Sequence, residues 1–492
     1  MEGYHNIKGS GSRMEYKKRS IVIALMVAMF LAAVEGTVVT TAIPTIVKDL
    51  NGFELISWVF SAYLLTSAIS TPIYGKLSDL YGRKNVLSIG IIIFLLGSCL
   101  CGLSQSMYQL IAFRAVQGIG AGAIFTLTYT IIGDIFTIDE RPKVQGWLST
   151  VWGIASLAGP FLGGFLIDNI SWNWIFFINL PFGIISIILI QKNLIETFDR
   201  KKHRIDFQGT LLFSLAIIAF LLGSLPGEKS YIKIAMPVTI AILLLFYYVE
   251  KRAEEPIIPF EIFTKTSNIV NAISFLASGI LIGIDVYLPL YIQNVLGFGA
   301  TISGIAMAPM SIAWLLSSIA LTKAIPKYGE KVVIGISTLI LLISCAFLST
   351  LSISSPLVIV IVYGFIMGFG FGGAFTTLTI VVQESVGYEK RGAATAANTL
   401  VRTLGQTIAV SVFGSILNMN IVKYFNNIGV NGIEPNNLYS KSTLSSGVSL
   451  EQIKLALTTG LHKVFTVFII IALVSLALSF IFDSRLKKGL RE

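Results

Sequence analysis

Apolar runs long enough to cross a bilayer recur along this chain, and they constrain its fold more than any other feature. They begin near Ile21, Leu55, Val86, Tyr108, Val144, Trp174, Gly209, Ile232, Asn268, Thr301, Val332, Pro356, Ala393 and Leu461. Composition agrees. Of 492 residues, 54% are hydrophobic and only 13% charged, with a mean hydropathy of +0.80. A soluble protein carries about 25% charged residues. The expectation is an all-α integral membrane protein of 14 transmembrane helices.

The charges orient it. An even number of spans puts both termini on one side. With the N-terminus in the cytoplasm, the inner segments carry 27 of the 36 Lys and Arg residues and the outer segments 7, while Arg114 and Arg402 lie within spans. That asymmetry follows the positive-inside rule and predicts cytoplasmic termini in a cytoplasmic (inner) membrane. The formal charge of +10 therefore needs no nucleic acid to explain it. Basic loops facing anionic lipid suffice.

The order of the runs predicts domains. Residues 1–20 form an N-terminal tail, whose Gly/Ser-rich head 1–13 reads as a tag-like segment. Residues 21–192 form one six-helix bundle, and 193–266 a linker with spans 7 and 8. Residues 267–482 form a second six-helix bundle that includes a polar outer loop, 418–458, expected to be mobile. Residues 483–492 form the C-terminal tail. A weak internal repeat supports this plan: YGRKNVL from Tyr81 and YGEKVVI from Tyr328 each join the second and third spans of a bundle. Such repeats mark secondary carriers, whose site lies between the halves near the midplane.

Glu35 is the residue least at home in its surroundings. It sits in LAAVEGTVVTTAIP, ~21 Å along the helix from Ile21. A charge that deep costs at least ~2.5 kcal/mol on insertion scales, so such residues usually face a polar cavity and carry function. On span 4, LIAFRAVQGIGAG places Arg114 within apolar surroundings, where it must pair or hydrogen-bond. Gly118, Gly120 and Gly122 give that span a close-packing face.

The loop GKLSDLYGRKN offers Gly75 for close helix approach, Asp79 for a helix terminus and Arg83 for a carboxylate on another span. Asp134, at the inner end of span 4, is the expected partner of Arg83. A structural pair and a catalytic pair are both open, and a gate latch is the expectation. Span 5, GIASLAGPFLGGFLID, brings Gly153, Gly159, Gly163 and Gly164 onto related faces, with Pro160 removing one backbone bond. Trp172 and Trp174 in SWNWIFFINLP are placed at the outer interface, where aromatic belts sit.

Together these motifs resemble the major facilitator superfamily, and in particular its fourteen-span drug:proton antiporter branch. VEGTVVTTAIP is similar to that branch's first-span signature. The resemblance covers roughly residues 20–485, with departures: Glu35 where Asp is common, Asn173 where Arg is frequent, and a second-half loop, KAIPKYGEK, without the Asp and Arg of the first. It implies proton-coupled antiport of amphipathic, often cationic drugs, with Glu35 as a proton and substrate site, Arg114 as its tuning partner and span 5 as the antiport-specific helix. The alternative is an exporter of the same fold dedicated to one metabolite, lipid or antibiotic.

Other polar residues in spans are weighed on position. For Asp285, in span 9, a second proton or cation site and a structural acid at the outer mouth both stay open. Gln117, Asn398, Arg402 and Gln406 are candidate cavity-lining residues. Arg402 and Gln406 share a face with Asn398, and can line the cavity, bind backbone carbonyls or touch substrate. Cys99, Cys101 and Cys345 read as small buried residues rather than a disulfide framework. No phosphate loop, metal cluster or nucleophile–base set is seen, so neither an enzyme nor a receptor is supported. No cofactor, metal or nucleic-acid partner is expected, and the chain is expected to be a monomer.

Overall fold

In a computed structural model of the chain, the structure describes residues 3–136, 140–195, 207–223, 230–253, 256, 260–387, 390–439 and 448–481. Among them every regular element is helical, because a lipid-embedded backbone must bond within its own segment. The first bundle comprises α1 (Gly3–Leu50), α2 (Ile56–Tyr81), α3 (Arg83–Gly102), α4 (Met107–Ile135), α5 (Arg141–Asn169) and the broken pair α6 (Trp174–Phe177) and α7 (Asn179–Asn193). The linker holds α8 (Phe207–Gly223) and α9 (Ser230–Glu250). The second bundle comprises α10 (Lys265–Leu290), α11 (Ala300–Thr322), the short α12 (Ile325–Tyr328), α13 (Glu330–Leu348), α14 (Leu357–Glu384), α15 (Arg391–Asn427) and α16 (Leu450–Ile481).

Twelve described helical segments are long and apolar enough to cross a membrane. The fourteen expected spans exceed this count by α8 and α9, whose apolar described parts are only 211–220 and 234–250. Two loop expectations are also corrected. The outer loop 418–458 is shorter, because α15 continues to Asn427 and α16 begins at Leu450, eleven residues before the run at Leu461. Its described part docks rather than floats: Asn436 donates to Glu54 Oε2 at 2.8 Å and accepts from the Glu54 amide at 2.8 Å. The tail before Ile21 is helical from Gly3, as part of α1.

The internal repeat is real in backbone terms. Gly82 and Gly329 both break the chain between helices at positive φ, 92° and 83°, where a side chain would be strained. Each starts the next helix, α3 and α13 (Glu330–Leu348), at the same point of its bundle.

Close approach of α2 to a neighbour does not rest on Gly75. A Cβ there would meet Thr126 at an ordinary 3.8 Å. The tight points are on α4: a Cβ at Gly118 would lie 2.3 Å from Tyr63 O, and one at Gly122 would lie 2.7 Å from Ser67 O. Overpacking of this kind costs typically ~1–3 kcal/mol. Gly118→Ala is therefore expected to lower the unfolding temperature of detergent-purified protein clearly, and Gly75→Ala to leave it near wild type. Equal stability of the two variants would show that α2 and α4 part without cost.

Candidate transport site

The first bundle closes on a buried charge pair. α1 carries Glu35 inward and α4 carries Arg114 towards it, and the two side chains are 0% and 1% exposed. Arg114 Nη1 donates to Glu35 Oε1 at 2.5 Å and to Gln117 Oε1 at 2.8 Å, and its Nε donates to Val59 O at 3.2 Å. The guanidinium lies 4.2 Å from the centre of the Tyr63 ring on α2, a cation–π contact. The second carboxylate oxygen is also held: Asn179 Nδ2, from α7, donates to Glu35 Oε2 at 2.7 Å and to Ser98 Oγ at 2.8 Å. Gln117 Nε2 donates to the same Ser98 Oγ at 3.0 Å, and Ser98 donates to Phe176 O. Six helices of the first bundle, α1, α2, α3, α4, α6 and α7, thus meet in one network.

This corrects two expectations. Glu35 does not face an open cavity here; it is sealed inside its own bundle. Gln117 is buried in the same network and lines no cavity in this conformation. Ser98 and Asn179 were not singled out from sequence. The available signal was a lone Asn in the apolar run FFINLPFGII, a residue that must find partners in hydrocarbon.

The second bundle is organised differently. Asn398 is buried, and its Nδ2 donates to Asn271 Oδ1 at 2.8 Å and Ser274 Oγ at 3.0 Å on α10, so it ties α15 to α10 rather than lining a cavity. Arg402, one turn on, points instead to α14: its Nη2 donates to Thr379 Oγ1 at 2.9 Å and Phe375 O at 3.2 Å. Arg402 and Gln406 are half-buried. Asp285 is half-buried too, and no hydrogen bond or ion pair holds it among the described residues. Gln293 Nε2 donates to Thr41 O at 2.9 Å and so fixes the register of α10 on α1. Eight residues back along both helices, Asp285 stands level with Ala33, within about 3 Å of the depth of Glu35.

Besides this α1–α10 contact, the two bundles meet along two seams, both running from the end where α1 hands over to α2. In one, α5 lies against α11. Asp168 accepts from the amides of Ala300 and Thr301 at 3.3 and 2.8 Å, at the positive N-terminus of α11. A Cβ at Gly164 would lie 2.4 Å from Ala300 O, and one at Gly304 would lie 2.1 Å from Pro160 O. Ser311 donates to Ser156 O at 3.1 Å, and Gly153 meets Leu315. The adjacent face of α5, about 100° round the helix, fits α1, where a Cβ at Gly159 would lie 2.0 Å from Thr37 Oγ1 and one at Gly163 2.8 Å from Val38 O. In the other seam α2 lies against α15, with Ser61 Oγ and Ser411 Oγ 3.2 Å apart. Asp168 was not singled out from sequence, although it ends the span 5 motif.

At the opposite end, Arg83 Nε donates to Asp134 Oδ2 at 2.7 Å and its Nη1 to Ser78 Oγ at 2.7 Å. The expected pair exists, but both partners belong to the first bundle, so this contact does not join the two bundles. The Asp79 side chain lies outside the described residues. Lys390 bonds Glu261 and holds its carboxyl below the ordinary carboxylate range, but both side chains are largely exposed. Of the two tryptophans expected at the interface, only Trp174 is exposed. Trp172 is buried and donates through Nε1 to Asp49 Oδ2 at 2.8 Å.

Comparison with known proteins identifies the family to which this arrangement belongs. The family model of the Major Facilitator Superfamily matches residues 25–410. The chain belongs to the major facilitator superfamily. It is 34% identical over 84% of its length to the multidrug transporter protein MdtP of Bacillus subtilis, covering 77% of that protein. It is 31% identical over 82% of its length to the multidrug efflux pump SdrM of Staphylococcus aureus, covering 90% of it. Among solved structures it shares the fold of a bacterial homologue of the lysosomal transporter Spinster, with a TM-score of 0.69 at 15% identity over 96% of this chain and 97% of that one. The protein is thus a multi-pass membrane transporter and not an enzyme.

Removing one partner of a buried ion pair leaves an uncompensated charge and costs about 3–5 kcal/mol. Glu35→Gln and Arg114→Gln are each expected to lower thermal stability strongly. The double variant should lose clearly less than the two losses added together, because partners in one network couple. A double-mutant cycle on unfolding of the purified protein measures this, and strict additivity would show that the pair carries no shared energy.

Proposed function

We propose that this transporter exports amphipathic, often cationic compounds across the cytoplasmic membrane in exchange for protons, with fourteen spans and cytoplasmic termini. The relatives named for multidrug transport support the cargo class. The positive-inside bias supports the orientation, and α8 and α9 supply the two further spans. In this orientation the end closed by Asp168, Ser61 and Ser411 faces outwards, so the conformation is closed to the outside.

The observation that carries the exchange reading is a pair of mid-depth carboxylates in opposite states. Glu35 is sealed and neutralised by Arg114. Asp285, at nearly the same depth on the second bundle, is half-buried and has no hydrogen-bond or ion-pair partner among the described residues. An unpaired carboxylate in hydrocarbon is a functional group by default. Asp285 is the one an entering cation or proton reaches first, whereas Glu35 becomes available only when α1 and α4 shift. A proton moving inwards gains ~2.3 kcal/mol per 100 mV and ~1.4 kcal/mol per pH unit, enough to drive the cycle.

The test is substrate-driven proton release and proton-driven uptake in proteoliposomes. Asp285→Asn is expected to reduce proton release on addition of a cationic substrate, and Glu35→Gln to abolish proton-driven transport. Glu35→Asp should keep part of it. Wild-type coupling in Glu35→Gln would overturn the assignment of that residue, and wild-type release in Asp285→Asn that of the other. A panel of unrelated compounds separates a broad exporter from one dedicated to a single cargo.

The seams make a separate prediction. α5 touches the Glu35 helix through Gly159 and the second bundle through Gly164 and Pro160. Bulk at Gly159 pushes α1 away, and a few kcal/mol inverts the populations of a two-state carrier. Gly159→Leu is expected to insert and bind substrate but to exchange slowly or leak protons. Wild-type exchange with a tight proton barrier would reduce the motif to packing alone.

A further inference from the structure

We infer that Arg402, with the aromatic stack beside it, forms a subsite for a planar aromatic carboxylate. The inference rests on the exporter reading only for its consequence in transport; the site is argued from its own geometry.

α15 carries a polar stripe at Thr395, Thr399, Arg402, Thr403 and Gln406, which a helix gathers within about 100° of arc. Val412, 45% exposed, marks the apolar outer side of the same helix, well away from that stripe. Asn398 and Gly405 face α10, and Ser411 faces α2. At Arg402 the stripe therefore turns to α14, away from Val412. α14 answers it with Phe375 and Thr379, both bonded to the Arg402 guanidinium.

Two features make this a place for an anion. No carboxylate pairs with Arg402 among the described residues, and its buried Nε has no hydrogen-bond acceptor. A guanidinium cannot shed its proton to escape that cost, so it retains capacity for an acceptor. The register of Phe275 and Gly279 on Gly405 and Ala409 places Arg402 about 20 Å along the axis from Asp285, too far for that residue to serve.

The planar part of the ligand has its own surface. Trp314 of α11 is half-buried and stacks on Phe375 at 5.3 Å and 15°, and on Phe371 at 5.7 Å and 28°. Arg402 Cζ lies 4.6 Å from the Phe375 ring centre, so cation and aromatic faces are contiguous. Leu315, beside Trp314, meets Gly153 of α5 and sets this stack next to the seam between the bundles. Phe371 and Phe375 are buried in the stack, so a flat ring would lie on the partly exposed face of Trp314 and direct its carboxylate towards the guanidinium, a charge-assisted geometry. Aromatic acids, and the acid end of zwitterionic aromatics, are the class that fits.

The test uses naphthalene-2-carboxylate and its uncharged amide, 2-naphthamide, titrated calorimetrically into the full-length protein in lipid nanodiscs, with empty nanodiscs subtracted. The acid is expected to bind at least about tenfold more tightly than the amide. Arg402→Gln should erase that preference by weakening the acid alone, Arg402→Lys should keep part of it, and Trp314→Ala should weaken both ligands. Equal binding of acid and amide by wild type, or a preference that survives in Arg402→Gln, would overturn the inference. If Arg402→Gln does not run as a folded species on size exclusion, the wild-type ratio and Trp314→Ala decide. Efflux of the planar cation ethidium by wild type tests the exporter reading separately: its absence would sink that reading and leave the acid–amide ratio to stand or fall alone.

Discussion

The ion pair of Glu35 and Arg114 is the interaction on which the first bundle depends. Two charges at 0% and 1% exposure are tolerable only with every partner in place, since the Coulombic gain must repay desolvation of both. That demand explains the rest of the network. Asn179 occupies the second carboxylate oxygen, and Gln117, Val59 O and the Tyr63 ring take up the guanidinium. Because these groups come from helices in every part of the bundle, satisfying one charge fixes the mutual placement of all of them. The glycines of α4 are the steric counterpart: Gly118 lets α2 come close enough for Val59 and Tyr63 to reach Arg114.

α5 carries this order to the other half. Its Gly159 and Gly163 fit against α1 at Thr37 and Val38, one turn beyond Glu35, and its Gly164 and Pro160 fit against α11. One rigid helix with a close contact on each face cannot follow a shift of α1 without loading the seam with α11. Coupling between a protonation event and bundle movement needs an element of this kind, with contacts too tight to absorb motion by side-chain rearrangement.

Much of this was legible in the sequence. Span number in the two bundles, the Arg83–Asp134 pair and the paired turns at Gly82 and Gly329 follow from hydropathy, charge and a seven-residue repeat. What failed did so for identifiable reasons. Hydropathy places Glu35 at depth but cannot say whether a helix turns it towards a cavity or its own bundle. That is set by Arg114, Ser98 and Asn179, which are distant in sequence. Asn398 and Arg402 share a helical face, yet crossing helices take them apart, one to α10 and one to α14. Gly75 looked like a packing glycine, but only the neighbour's backbone decides that, and Gly118 has it. Polar residues at 418–427 read as loop because periodicity weakens where a helix leaves the membrane, although the backbone continues helical.

The two halves therefore treat charge in opposite ways, and this asymmetry bears on how a carrier works. The first bundle spends its charged residues on one another and holds a fixed shape. The second ties its helices with neutral groups, Asn398 to Asn271 and Ser274, and leaves one carboxylate and one guanidinium half-buried at different depths. An unpaired charge in a low-dielectric interior gains far more from an arriving counter-charge than a paired one does. In the proposed cycle, ligand energy would thus be delivered to the second bundle, where it is not already committed. The first bundle responds only if that energy is relayed across the α5–α11 and α1–α10 contacts to loosen Glu35 from Arg114. Under the antiport proposed above, a carrier so built keeps its sealed pair closed when empty and opens it under load, which would tie proton release to the presence of cargo.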